Sequence, residues 1–162
     1  MFIFDSSTLI LLAKIEILDR FLRDYKGDVI IPGKVEKEST NDTTFEALLI
    51  KKKIKEGRIK VRHVQSDKVR KIIEDFNVNS GEAEAIILAL TNKNGTLATD
   101  DKNAINACKL LDVPFTASIH ILLRAKEKNL MTMEEARAKL DKLSKYGRLK
   151  KIIIEDARRR LK

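Results

Sequence analysis

The chain has 162 residues, with 33 Lys and Arg against 24 Asp and Glu for a formal charge of +9, and it is 43% hydrophobic but only 5% aromatic. That length suits one domain with an aliphatic core, and the hydrophobic share excludes a disordered chain. The single Cys108 excludes an internal disulfide and suits a reducing, cytoplasmic setting, while no apolar run approaches the ~20 residues that span a bilayer.

Met1 to Phe4 reads as a short buried strand, and Asp5 breaks the run at once, which argues against a signal peptide. Thr8 to Ala13 and Ile15 to Leu22 follow as two short helices. Val29 to Ile31 form a second strand, and Pro32-Gly33 leads into a short helix through Val35 and Glu38, since Pro is tolerated at a helix start. Phe45, Leu48, Leu49 and Ile54 keep helical spacing up to the stop at Gly57. Ile59, Val61 and Val64 alternate with Lys60, Arg62 and His63, as in a half-exposed strand. Val69, Ile72, Ile73 and Phe76 return to helical period. Ser80 is expected to cap a helix from Gly81 to Leu90, apolar on nearly every side and therefore central.

Thr96 to Ala98 read as another strand, and Thr99-Asp100-Asp101 opens a helix carrying Ala104, Ala107, Cys108 and Leu111. Val113 to Phe115 fit a last strand. Ser118 is expected to cap Ile119 to Ala125, Thr132 and Glu135 mark a capping box for a helix through Leu143, and Ile152 to Leu161 form a basic helix. Strands alternating with helices predict a three-layer α/β/α fold with a central parallel sheet of about four or five strands, near residues 2–5, 28–31, 59–64, 96–98 and 113–115. The reading is one domain over 1–162, with 118–162 a helical C-terminal extension.

Five carboxylates stand where apolar runs hand over to helices: Asp5, Glu38, Glu82, Asp100 and Asp101. Loops at strand ends are where open α/β sheets collect ligand groups. Acids converging there repel one another unless a divalent cation holds them together. Each acid also has a plainer use. Asp5 could cap the helix near Thr8, and Glu38 could pair with Lys34 one turn away, with Glu36 competing for its place. Glu82 and Glu84 could both complement a helix dipole; two residues apart, they point about 200° from each other, so one faces the site and Glu82 is favoured. Either of Asp100 and Asp101 could be the ligand and the other the cap.

The basic balance favours a polyanionic partner, nucleic acid first and an acidic protein second, and is compatible with a heat-adapted, ion-pair-rich surface. Lys51, Lys52, Lys53, Lys55, Arg58, Lys60 and Arg62 could track a phosphate backbone or form a solvated face. Arg158-Arg159-Arg160 offers the same choice. His63 and His120 lack the spacing of a zinc site, and there is no Gly-rich phosphate loop.

In order, Phe4-Asp5-Ser6-Ser7, Ile31 to Glu38, Gly81-Glu82-Ala83-Glu84-Ala85-Ile86 and Ala98-Thr99-Asp100-Asp101-Lys102 resemble the PIN-domain ribonucleases. The likeness is greatest to their small prokaryotic, toxin-like branch, and it runs from Met1 to about Phe115. It implies a Mg²⁺- or Mn²⁺-dependent endoribonuclease that hydrolyses RNA phosphodiester bonds. By the same resemblance Asp5 is the central ligand, Glu38 and Glu82 are its neighbours, and the Asp100/Asp101 pair is the last. Asp5, Glu82, Asp100 and Asp101 are then the metal set, with Ser7 and Thr99 supporting them by hydrogen bonds. The partners implied are RNA, a second copy of the chain and, for a toxin, an antitoxin protein that blocks the acidic pocket. Leu11 to Leu22 and Phe45 to Ile54 are the segments expected at a homodimer interface. The alternative is a non-catalytic RNA- or protein-binding module on the same fold. A receiver-like phosphoacceptor ranks last, because its adjacent acids come early in the chain and here they come late.

Overall fold

The computed structural model describes residues 1–65 and 67–161. β1 (Phe2–Phe4) stops at Asp5 and turns directly into α1 (Ser6–Lys14) and then α2 (Leu18–Asp24). β2 (Val29–Pro32), buried along its whole length, leads through α3 (Gly33–Thr40) and α4 (Phe45–Lys55) to β3 (Lys60–Arg62). α5 (Lys68–Phe76) and α6 (Ser80–Thr91) cross back to β4 (Thr96–Ala98). α7 (Lys102–Leu110) leads to β5 (Phe115–Thr116), and α8 (Ser118–Glu127), α9 (Met133–Tyr146) and α10 (Lys151–Arg160) complete the chain.

The sheet has five strands, all parallel, in the order β3-β2-β1-β4-β5. Alternation along each strand sends Phe4, Ile31 and Ala98 into one core and Ile3, Ile30 and Leu97 into the other. The first core lies under α1, α2, α4 and α8 to α10; the second lies under α5, α6 and α7, giving the three layers expected. Strand order reverses between β1 and β4, so the crevice beyond their carboxyl ends is the switch point at which open α/β sheets hold ligands. Asp5 follows β1 directly, and Asp100 and Asp101 follow β4.

The last three helices belong to the first core. Ile119, Leu122, Leu140, Leu143 and Ile154 are buried among Leu9, Leu12 and Leu18. Polar links fasten them: Arg20 donates to the Leu130 carbonyl and to Glu135, and the buried Lys139 donates to the Ile15 carbonyl and to Glu16. Among the described residues no helix is long and apolar enough to cross a membrane.

Several local expectations are corrected. α6 is capped by Asn79, not Ser80: Asn79 Oδ1 accepts the Glu82 N–H at 2.8 Å, and Glu82 accepts the Asn79 N–H at 2.9 Å, a reciprocal box that needs this three-residue spacing. Ser118 does not cap α8; Ala117 holds that position without a side-chain bond, and the Ser118 N–H goes to Asp100 instead. β3 is shorter than residues 59–64, because the Ile59 N–H is committed to the Lys53 carbonyl and the partner strand ends at Pro32, opposite Arg62. β5 lies at Phe115–Thr116, since Pro114 offers only its carbonyl, which accepts the Leu97 N–H. Leu11 to Leu22, expected at an interface, spends Leu11, Leu12, Ile15, Ile17, Leu18 and Leu22 on the chain's own core.

Candidate active site

Asp5 ends β1 and begins α1, so one side chain serves two elements. Its N–H continues the ladder to the Ala98 carbonyl, and Oδ1 caps α1 by accepting the Thr8 N–H at 2.7 Å and the Ser7 hydroxyl at 3.2 Å. The residue is 1% exposed, and Oδ2 has no hydrogen-bond partner. Burial pushes this carboxyl above its ordinary range, against the pull of Thr99 and Thr8, and repulsion from Asp100 adds to the rise.

Asp100 is held in the same way. Its N–H donates to Thr8 Oγ1 at 3.1 Å, and its Oδ1 accepts the Ser118 N–H at 2.9 Å, while Oδ2 is buried without a partner. Burial raises its pKa; Ser118 and, more weakly, His120 draw it down. The Ser118 N–H makes the bond to Asp100, while its buried hydroxyl meets no partner at good geometry. Asp101 caps α7, with Oδ1 accepting the Asn103 and Ala104 N–H groups at 2.8 and 2.9 Å, and its own N–H donates to Thr99 Oγ1. Of the adjacent pair, Asp101 caps the helix through Oδ1, and Asp100 keeps a buried oxygen without a partner.

Glu38 comes from α3 and reaches the start of α1, where Oε2 accepts the Ser6 hydroxyl at 2.7 Å. It also lies against Gly81, where a Cβ would meet Oε2 at 2.8 Å, so the missing side chain lets Glu38 approach α6. Glu82, in the capping box at that helix start, is raised first by burial and then by repulsion from Asp101, Asp5 and Glu38. Glu84 faces elsewhere and accepts the Lys34 N–H. Thus Asp101, Asp5 and Glu38 each stand within electrostatic reach of Glu82, and Asp100 reaches Asp5.

A cleft of about 430 Å³ opens beside them, lined by Ser7, Glu82, Asp100 and Asp101 together with Lys102, Tyr146 and Arg148. Among the described residues no three His, Cys, Asp or Glu side chains close tightly enough to hold a metal ion by themselves. The donor chemistry nevertheless suits a hard divalent cation: carboxylate oxygens, mutually repelling, two of them buried with no donor. A buried acceptor left unpaired costs roughly 1–3 kcal/mol, a cost that a bound cation or a proton would relieve.

Sequence reasoning missed Ser6, Thr8 and Ser118 as groups that aim the acids, and it missed Tyr146 and Arg148 as cleft residues. Thr8 had a local signal, three residues past a capping Asp. The others reach the site only through the tertiary fold. His63 lies against Gly33 and His120 lines a separate hollow with Phe2, Phe21 and Tyr25, so the two do not meet.

A family model described as PIN domain matches residues 1–162. No curated protein and no solved structure matches the chain. The match covers the sheet, the acids at its switch point and the three last helices together, so the chain belongs to the PIN-domain family, whose members are in general nucleases.

Proposed function

We propose that this protein is a metal-dependent endoribonuclease that hydrolyses RNA phosphodiester bonds with Mg²⁺ or Mn²⁺. The observation that carries the reading is the pair of buried, unpartnered oxygens, Asp5 Oδ2 and Asp100 Oδ2, beside Glu82 at the sheet's switch point. Asp5, Glu82, Asp100 and Asp101 are the residues assigned to hold the ion, with Glu38 completing the acidic set. Mg²⁺ keeps several of its waters, so acids too far apart to enclose it directly can hold it through water. When bound, the ion supplies positive charge to a phosphodiester oxygen and activates water for attack.

The chain's own residues do the rest. Ser7 and the Thr8 N–H occupy one oxygen of Asp5, and the Ser118 N–H occupies one of Asp100, so each carboxylate presents its other oxygen in a fixed direction. Thr99 steadies the turn by accepting the Asp101 N–H. Glu82 is the group we assign to take the proton as water adds to phosphorus, and the leaving ribose oxygen takes a proton from solvent as its bond to phosphorus breaks.

A toxin restrained by an antitoxin protein is the biological setting this reading favours. Self-association belongs to it as well, and the exposed Phe45 and Leu48 of α4 are the apolar groups left for it. Sedimentation giving a monomer at micromolar concentration would remove that part alone. The second reading, a non-catalytic RNA- or protein-binding module, is favoured by one observation, the open spacing of the acids. Incubation of a mixed RNA panel with Mg²⁺, Mn²⁺ or EDTA separates the two. Cleavage that needs metal and Asp5 supports the nuclease; RNA that stays intact under every condition supports the module.

A further inference from the structure

Two cations, Arg148 and Lys102, line the cleft together with the carboxylates, two more, Lys14 and Lys145, lie beside its Tyr146, and none of the four makes an ion pair with a described residue. Arg148, between α9 and α10, and Lys102, the first residue of α7, line the cleft with Glu82, Asp100 and Asp101. Tyr146 lines it too, and the ammonium groups of Lys14 and Lys145 lie 4.7 and 5.4 Å from the centre of its ring. Among the described residues, the carboxylates within 4.0 Å of a Lys or Arg all have other partners.

A guanidinium that served to neutralise these acids would touch them. Arg148 shares their cleft, stays exposed and leaves its donors free for an anion from outside. Guanidinium geometry suits phosphate oxygens, two at a time. Its place is fixed by Gly147, whose N–H donates to the Leu143 carbonyl at 2.8 Å. A Cβ on Gly147 would lie 2.7 Å from that carbonyl oxygen and 3.4 Å from Leu11 Cδ2, so the loop rests on α1 as a bulkier residue would not allow. Lys102 follows Asp101 at the start of the helix that Asp101 caps, so one turn places both that acid and that cation.

We propose that Arg148 and Lys102, flanked by Lys14 and Lys145 around Tyr146, seat the backbone phosphates of single-stranded RNA beside the acids. The segment after residue 118 is then a wall of the substrate site and not an appendage. The choice of RNA rests on the ribonuclease reading above; the phosphate contacts do not. Aromatic content is low, so charge and not base stacking must carry the affinity.

The test is anisotropy of an end-labelled, single-stranded oligoribonucleotide in EDTA across a salt series. Each neutralised phosphate contact contributes about 0.7 to the slope of log affinity against log salt. The double variant Arg148→Gln/Lys102→Gln is expected to flatten the slope by about 1.4 and weaken low-salt binding about ten-fold or more. Lys14→Gln/Lys145→Gln should produce a smaller loss in the same direction. All four side chains are exposed, and thermal unfolding checks that the fold survives. An unchanged slope, no binding by the wild type, or tighter binding once Arg148 is neutralised would each overturn the proposal, the last marking Arg148 as an internal plug. No cleavage enters a measurement in EDTA. Binding that depends on these cations, in a protein that cuts no RNA, would therefore sink the ribonuclease reading alone. Asp5-dependent cleavage with an unchanged slope would sink this one alone.

Discussion

Glu82 and Glu135 occupy the same local position, three residues after a capping side chain at the start of α6 and of α9, and each closes a reciprocal capping box. Their carboxyls nevertheless move in opposite directions. Arg20 beside Glu135, at 2.7 Å, and the Thr132 N–H hold that carboxyl down to about 2. Glu82 is raised by burial and by three neighbouring acids. One motif therefore serves two ends. At α9 the surrounding charge completes the cap and fastens the last helices to α2; at α6 the surrounding charge opposes it and leaves a carboxyl that gains from an added cation. Helix-start chemistry alone does not separate a structural acid from a site acid. The neighbours do.

Asp5 lies at the extreme of the site class, so its loss should have the largest effect. Asp5→Asn is expected to lower metal-dependent cleavage by roughly a thousand-fold, the scale of several kcal/mol of lost charge stabilisation. Asn still offers an oxygen to the Thr8 N–H, so the cap on α1 survives. Without metal the variant should be the more stable protein at neutral pH. A carboxyl whose pKa is raised on folding contributes fully below its ordinary value of 3.8, and that contribution is lost as pH rises through the raised one. The gain of the Asn variant over the wild type should therefore grow from acid toward neutral pH, and Mg²⁺ should raise the melting temperature of the wild type only. Equal metal-induced shifts in both proteins would defeat the assignment of Asp5.

The two capping glutamates give the direct comparison. Glu82→Gln keeps both halves of the box, because Gln also accepts the Asn79 N–H, and removes the charge. It should cost about a hundred-fold or more in cleavage and leave the metal-free melting temperature level or higher. Glu135→Gln also keeps its box but loses the Arg20 pair, so it should melt lower at neutral pH with cleavage intact. The drop will be modest, because the pair is partly exposed. The lowered pKa fixes its sign with pH: the penalty is full above the ordinary value of 4.5 and fades as pH falls toward about 2. If both variants lost stability alike, the distinction between the two helix starts would fail.

What the chain reveals in advance divides along the same line. Short apolar runs, the alternation from Ile59 to Val64, apolar helix faces and the carboxylates after the runs at Phe4 and Ala98 are local signals, so the parallel sheet and the acids at its edge are legible in the residues. Cap identity is half legible: Thr132 and Glu135 mark their box, while Asn79 and Ser80 both suit a cap and only the spacing to Glu82 decides for Asn79. The aim of each acid was not legible. Asp100 is oriented by the Ser118 N–H, eighteen residues on, and Glu38 by Ser6, thirty-two residues back; no window of sequence joins them. Arg148 is further still from the acids whose cleft it lines.

The smallest effect on binding is expected where the sequence is most basic. In the run from Lys51 to Arg62, Lys53 pairs with Asp19 at 2.6 Å and Glu56 at 3.0 Å, Lys52 approaches Glu56, and Lys60 pairs with Asp28 at 2.6 Å. Arg58 donates to the Leu22 carbonyl, Arg62 to Asn92 and Lys51 to the Asp42 carbonyl. Most of these donors are already engaged, so a phosphate would have to displace a partner and its gain would be cut by the loss. Lys53, only 12% exposed along its side chain, joins α4 to α2. Neutralising Lys52, Lys53 and Lys55 together should lower the melting temperature slightly and leave the salt slope of RNA binding where it was. A slope flattened by about 2, from three contacts at 0.7 each, would return the phosphate track to this face.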